Sequence, residues 1–171
     1  GYTAGDLNDF LSAQTQLWDT VTGDTTATTD HARSGSYGLR QGGGSVYPSV
    51  TKAITGNISF NAWLYDNMIT DTNYLAVLRV WDPGNVTYPM HAIGIGVLPW
   101  QDEDYYIYHT EGWGYNTSGQ ARSSGWHRLA INVRATTSDL LVDGNVIASL
   151  DVLDEGNISM ISLEGFLDGV G

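Results

Sequence analysis

The chain has 171 residues, of which 42% are hydrophobic, and this length and composition indicate one globular domain over residues 1–171. Nineteen acidic against seven basic residues give a formal net charge of −12, which disfavours binding to nucleic acids and to anionic membranes. There is no cysteine, which excludes disulfides and thiolate metal sites, and no apolar run reaches the roughly 20 residues that cross a bilayer.

Short stretches in which apolar and polar residues alternate recur along the chain and predict strands, because successive side chains of a strand point to opposite faces. In chain order, the predicted strands lie at 36–41, 47–54, 58–65, 74–82, 91–98, 105–110, 127–134, 139–150, 158–163 and 165–170. Within 139–150, an Asp-Gly-Asn sequence separates two apolar runs, which is typical of a β-hairpin. The pattern predicts an all-β fold, a two-sheet antiparallel β-sandwich of the jelly-roll type.

The alternation divides the side chains of the central strands into two sets. One set is apolar and is predicted to fill the space between the sheets: Ile58, Phe60, Ala62, Leu64, Ala76, Leu78, Val80, Ile93, Ile95 and Val97. The opposite set combines aromatic rings, hydrogen-bonding groups and glycines: Asn61, Trp63, Tyr65, Arg79, Trp81, Gly94, Gly96, Tyr106 and Tyr108. The remaining residues of the 105–110 strand are assigned to the core side: Tyr105, Ile107 and His109.

A face of this composition favours sugar binding. The axial C–H groups of a pyranose stack on a flat ring, while amide and guanidinium groups bond the hydroxyls. Glycines on a strand face, here Gly94 and Gly96, let a ligand approach the backbone closely. We therefore predict a binding platform that includes Tyr65, in which Asn61 and Arg79 bond hydroxyls and four rings stack on sugar: Trp63, Trp81, Tyr106 and Tyr108. Trp113, in a loop between glycines, is predicted to overhang it. The alternative is that the tryptophans close one end of the core or lie beneath a loop.

Three segments resemble the concanavalin A-like, laminin-G-like jelly rolls that occur as carbohydrate-binding modules on polysaccharide-degrading enzymes. They are DHARSGSYGLRQGG at 30–43, SGWHRLAINVRATTSDLLVDGNVIASL at 124–150 and LEGFLDGVG at 163–171. We expect a monomeric module that is fused to a catalytic domain in a larger polysaccharide-degrading protein that bacteria secrete. The resemblance implies one structural Ca²⁺, an ion that prefers six to eight oxygen ligands. The candidate ligands are Asp6 or Asp9, the backbone carbonyls around Ser34 to Ser36, and Asp168.

Enzymes of the same fold supply the alternatives. A glycosidase needs two carboxylates about 5–10 Å apart across the scissile bond, and the Glu-x-Asp-x-x-Glu strand of the related laminarinase-type enzymes does not occur in this sequence. A polysaccharide lyase would pair a tyrosine or histidine base with an arginine that neutralises a uronate. These groups could be supplied by Tyr106, Tyr108, His91, His109 and Arg79, although the net charge works against polyanionic substrates.

The sequence therefore predicts a non-catalytic carbohydrate-binding module. Its expected partner is a neutral or lightly substituted polysaccharide, held on the aromatic-lined sheet face. The alternatives are a polysaccharide lyase or glycosidase on the same fold, and a laminin-G-like adhesion module that recognises protein.

Overall fold

The structure, a computed structural model, describes residues 5–6, 20–22, 25–29, 33, 38–41, 49–53, 58–71, 75–81, 92–110, 114–134, 136–151 and 160–166. Within these ranges the chain forms strands and turns without a helix. The strands are β1 (Gly5–Asp6), β2 (Thr20–Thr22), β3 (Thr25–Thr28), β4 (Gly38–Gln41), β5 (Ser49–Ala53), β6 (Ile58–Asp66), β7 (Leu75–Trp81), β8 (Ala92–Leu98), β9 (Asp102–Thr110), β10 (Gly114–Ala121), β11 (Gly125–Val133), β12 (Thr137–Val142), β13 (Asn145–Asp151) and β14 (Met160–Phe166). A helix with the length and apolarity needed to span a membrane is not found in them.

Two large antiparallel sheets make up the body of the fold. One has seven strands in the order β10-β9-β8-β7-β14-β5-β2, and the other has four in the order β13-β12-β11-β6. A small third sheet joins β1, β3 and β4. The two-sheet antiparallel β-sandwich predicted from the alternation is thus confirmed.

The core lies between the two large sheets and takes side chains from both. Paired residues of neighbouring strands point to the same face, so Leu78 opposite Ile95 and Ile131 opposite Leu140 each add a pair of buried side chains. Burial of each such side chain stabilises the fold by about 1.5–3 kcal/mol. The predicted core positions that lie in or against this cluster are Phe60, Ala62, Leu64, Leu78, Val80, Ile93, Ile95 and Val97.

The predicted hairpin is present between β12 and β13. Asp143 and Gly144 form a two-residue turn with φ values of 50° and 85°, as a type I′ turn requires, and glycine takes such an angle without steric cost. The turn is held against β11, because the Asp143 N–H donates to the Arg128 carbonyl and the Arg128 N–H donates to Asp143 Oδ1, both at 2.8 Å.

Candidate functional site

The predicted aromatic platform is divided between the two outer faces of the sandwich. Asn61, Trp63 and Tyr65 alternate with core residues of β6 on the four-stranded sheet, whereas Arg79 and Trp81 alternate with core residues of β7 on the seven-stranded sheet. The prediction that these five residues share one surface is wrong. The reason is that β6 and β7 follow each other in sequence but pair with different partners, β6 with β11 and β7 with β8 and β14.

The placement of Tyr106 and Tyr108 on the platform is also wrong. β9 pairs with β8 so that Tyr108 lies opposite Ile95, a core residue. Tyr106, two residues earlier, is therefore on the same side and is fully buried, and Tyr108 packs against the core cluster. The residues that point away from the core are instead those assigned to it from the sequence: Tyr105, Ile107 and His109.

Four predicted site residues lie outside the described residues: Trp113, Asp9, Ser36 and Asp168. The calcium site depends on three of them and stays a prediction. Within the described ranges, no group of three or more histidine, aspartate or glutamate side chains is arranged to hold a metal ion.

The outer face of the four-stranded sheet carries an exposed indole among polar groups. We call it the Trp63 face and define it by Asn61, Trp63, Tyr65, Trp126 and Arg128. Trp63 lies directly opposite Arg128 and is 44% exposed, and the side chains of Asn61 and Arg128 are also exposed. Beside them, Tyr65 lies opposite Trp126, and their half-buried rings meet edge to face with centroids 5.3 Å apart.

A second arginine reaches this face from far earlier in the chain. The guanidinium carbon of Arg33 lies 4.2 Å from the centroid of the Trp63 ring, well within the roughly 6 Å over which a cation is attracted to an aromatic face. Trp63 is therefore flanked by Arg33 over its ring and by Arg128 on the neighbouring strand. Sequence reasoning missed both, because the link depends on contacts between distant segments.

The face combines what sugar recognition requires on a rigid support. An exposed indole offers a surface for stacking, and the amide of Asn61 and the two guanidinium groups offer donors for hydroxyl or anionic oxygens. The backbone beneath them is held by the continuous β6–β11 ladder, which pairs every residue from Asp66 opposite Gly125 to Ile58 opposite Val133.

The outer face of the seven-stranded sheet is different, since it is closed at its centre. Arg79 and His109 are both buried there, and the Arg79 Nε–H donates to His109 Nε2 at 3.0 Å. Burial of the imidazole, and next the positive charge of Arg79, lower the pKa of His109 to about 3. The ring is thus neutral near pH 7, with its Nε2 lone pair used by Arg79.

Gly94 and Gly96, predicted to let a ligand approach the backbone, are instead sites of internal packing. A Cβ at Gly94 would lie 2.4 Å from His109 Nε2, and one at Gly96 would lie 1.9 Å from the Ala76 carbonyl oxygen. The His109 ring fills the space above Gly94, and the β7 backbone closes the space at Gly96, so neither glycine opens the sheet to a ligand.

Three of the groups that a lyase would use, His109, Tyr106 and Arg79, are not arranged for proton abstraction, and His91 lies outside the described residues. The lone pair of His109 Nε2 accepts the Arg79 hydrogen bond, so His109 has no free base on that nitrogen. Burial, followed by the negative charge of Asp66, raises the pKa of the Tyr106 hydroxyl, which opposes its use as a phenolate base. Arg79 is itself buried and contacts His109 rather than solvent.

A Ser-His-Asp arrangement occurs at the hairpin but has a structural role. His127 Nδ1 lies 2.7 Å from Asp143 Oδ2, and His127 Nε2 lies 3.2 Å from Ser123 Oγ. The nearer neighbour of Nε2 is the Ser123 carbonyl oxygen at 2.8 Å, which can bond only a protonated Nε2, whereas a base that activates the Ser123 hydroxyl needs an unprotonated one. Burial acts to raise the pKa of Asp143, but hydrogen bonds from the Arg128 N–H and from His127 outweigh it and lower that pKa.

A second exposed aromatic pair lies at the edge of the seven-stranded sheet. Trp100, in the turn between β8 and β9, is 51% exposed and meets Tyr115 edge to face with ring centroids 5.1 Å apart. Tyr115 in turn contacts the ring of His109. This pair is an aromatic surface that does not include the two arginines of the Trp63 face.

Arg122 and Asp66 form a buried ion pair that the sequence did not reveal. The Arg122 Nε–H and Nη2–H donate to the two carboxylate oxygens of Asp66 at 3.0 and 2.9 Å. Arg122 also donates to the carbonyls of Glu103 and Ile69 at 2.8 and 3.1 Å. Its hydrogen bonds thus join the end of β6 to the β9–β10 region, and the pair is part of the framework rather than of a site.

The fold and the exposed face define an all-β sandwich with a surface suited to ligand stacking. No protein-family profile matches the sequence, and no curated protein matches it. Among solved structures, the chain is similar to one from work on endo-acting O-glycanases that prominent members of the human gut microbiota express to initiate mucin breakdown. The TM-score is 0.49 and the identity 14%, over 91% of this chain and 72% of the other. A likeness at that level carries no argument about activity, so function is inferred from the residues themselves.

Proposed function

We propose that this chain is a non-catalytic carbohydrate-binding module that holds a polysaccharide on the Trp63 face. The supporting observation is the exposed Trp63 indole, placed on a rigid strand with Asn61 two residues away and Arg128 opposite. A pyranose stacked on the indole would bring its hydroxyls within reach of these donors. On an open surface the affinity for a soluble oligosaccharide should be weak, roughly micromolar to millimolar.

A binding role is favoured over catalysis by the candidate catalytic groups. A hydrolase needs two carboxylates facing one another across a cleft, and the Glu-x-Asp-x-x-Glu strand of the laminarinase-type enzymes does not occur in this sequence. A lyase needs a free base, and His109 is occupied by Arg79. We therefore extend the proposal to a module without covalent chemistry, carried by a secreted, polysaccharide-degrading protein.

Affinity electrophoresis through gels that contain a panel of soluble polysaccharides tests this function. The protein should be retarded in at least one gel relative to a gel without polysaccharide. Assays for reducing ends and for unsaturated sugar products on the same panel should stay at the blank. Release of either product would overturn the non-catalytic assignment, and the absence of retardation on every polysaccharide would overturn carbohydrate binding.

A further inference from the structure

The distribution of positive charge suggests more about the ligand. The basic side chains that the structure describes are Arg33, Arg79, Arg122, Arg128 and Arg134. Arg79 and Arg122 are buried and bonded internally. Arg134 is paired with Asp139, with Nη2 2.7 Å from Oδ2.

The two remaining arginines are neighbours of the same tryptophan, Arg33 over its ring and Arg128 opposite it in the strand register. Arg33 and Arg128 are exposed, and among the described residues neither guanidinium has a carboxylate partner; both lie beside Trp63. In a chain with a net charge of −12, these two arginines place two positive charges beside one exposed indole. Strand neighbours directly opposite each other have Cβ atoms about 5 Å apart, so Arg128 can reach a substituent on a sugar that stacks on the ring.

We propose that the polysaccharide bound on the Trp63 face carries an anionic substituent, a carboxylate or a sulfate ester, which Arg33 and Arg128 bind from either side of the stacked sugar. This inference rests on the proposed carbohydrate-binding function. Guanidinium groups match the geometry of both anions through paired N–H donors. Because the rest of the protein is strongly acidic, the ligand is a mostly neutral chain with isolated anionic groups, since a dense polyanion would be repelled.

Arg33 gives the proposal a signature that distinguishes the two kinds of ligand. In the free protein its guanidinium lies over the Trp63 ring, an attraction of a size that would alter affinity by only about two- to fivefold. An anionic sugar would draw the guanidinium onto its charged group, whereas a neutral sugar would have to displace it without that compensation. Replacement of Arg33 should therefore weaken binding of the anionic ligand and leave binding of its neutral counterpart unchanged or up to about fivefold stronger.

The test is a glycan array that presents neutral oligosaccharides beside their sulfated and uronate-containing counterparts, read at about 50 and about 300 mM NaCl. Wild type should prefer a charged member over its neutral counterpart by about tenfold or more at the lower salt. Arg33→Gln and Arg128→Gln should each remove most of that preference. Arg134→Gln, which deletes the same charge about 20 Å further along the chain, just past the end of β11, should keep it.

The outcomes separate this inference from the function on which it rests. If neutral members are bound as well as charged ones, and Trp63→Ala still abolishes binding, the face binds sugar but the anionic assignment is wrong. An equal loss of preference in the control variant Arg134→Gln would attribute the preference to overall charge and would also overturn the assignment. If the wild-type protein binds no glycan on the array, the proposed carbohydrate-binding function itself is wrong. Whether sulfated or carboxylated members are preferred identifies the anion.

Discussion

The buried Arg79–His109 pair should make the free energy of unfolding fall at acidic pH, because His109 is held neutral in the folded protein. His109 is 3% exposed and has a pKa of about 3 in the folded protein, against a usual value of 6.5. Because the folded-state pKa is depressed, the unfolded chain binds the proton more readily between these two values. The contribution of His109 is therefore complete above pH 6.5 and is lost progressively as the pH falls towards 3. At pH 4.5, two units below the usual pKa of a histidine, the expected loss is about 3 kcal/mol.

His109→Gln is the variant that isolates this effect, because its side-chain carbonyl can accept from the Arg79 Nε–H but does not titrate. Urea unfolding at pH 7.5 and pH 4.5 should show that wild type loses about 2–3 kcal/mol more than the variant between the two conditions. The carboxylates titrate in both proteins, so their contribution cancels in the comparison. Equal losses in wild type and variant would refute the claim that His109 is held neutral by burial and by Arg79.

Two further predictions concern the framework around the site. Arg122→Gln leaves Asp66 buried without its bidentate partner and should lower the free energy of unfolding by about 3–5 kcal/mol. Arg134→Gln, which breaks the exposed pair with Asp139, should lower it by no more than about 1 kcal/mol. Similar losses in urea denaturation would contradict the claim that the Arg122–Asp66 pair is buried and the Arg134–Asp139 pair is not. Gly96→Ala forces a Cβ against the Ala76 carbonyl and should destabilise by about 1–3 kcal/mol or more, while Gly119→Ala, with nothing within 4 Å of the added Cβ, should not. Thermal unfolding of the two alanine variants compares them, and equal melting temperatures would show that the close approach at Gly96 is absent.

The alternation of apolar and polar residues was sufficient to predict which side chains of a single strand reach the core. Alternation within β6, β7 and β8 identified the residues that reach the core, and the Asp143–Gly144 turn followed from the conformational preference of that dipeptide. These features depend on residues that are close in sequence, so they could be predicted from the sequence pattern.

The errors arose where a face depends on pairing between strands. In β9 both alternating sets contain rings or branched side chains, so hydrophobicity could not tell the core set from the outer one, and only the register of Tyr108 opposite Ile95 decides it. Likewise, no local signal says that β6 and β7 enter different sheets. The Arg33–Trp63 and Arg122–Asp66 contacts join residues far apart in sequence, and such contacts are set by the tertiary fold.

The central claim is that Trp63 is the residue on which the sugar stacks. The most direct measurement is calorimetric titration of an oligosaccharide taken from a polysaccharide that retards wild type, using Trp63→Ala and Trp100→Ala as a matched pair. Both remove an exposed indole, 44% and 51% exposed respectively, one from β6 of the four-stranded sheet and the other from the β8–β9 turn of the seven-stranded sheet. Stacking on Trp63 predicts that Trp63→Ala weakens binding by about tenfold or more, and that Trp100→Ala changes it by less than about twofold. Unchanged affinity in Trp63→Ala, or loss in Trp100→Ala alone, would contradict the account.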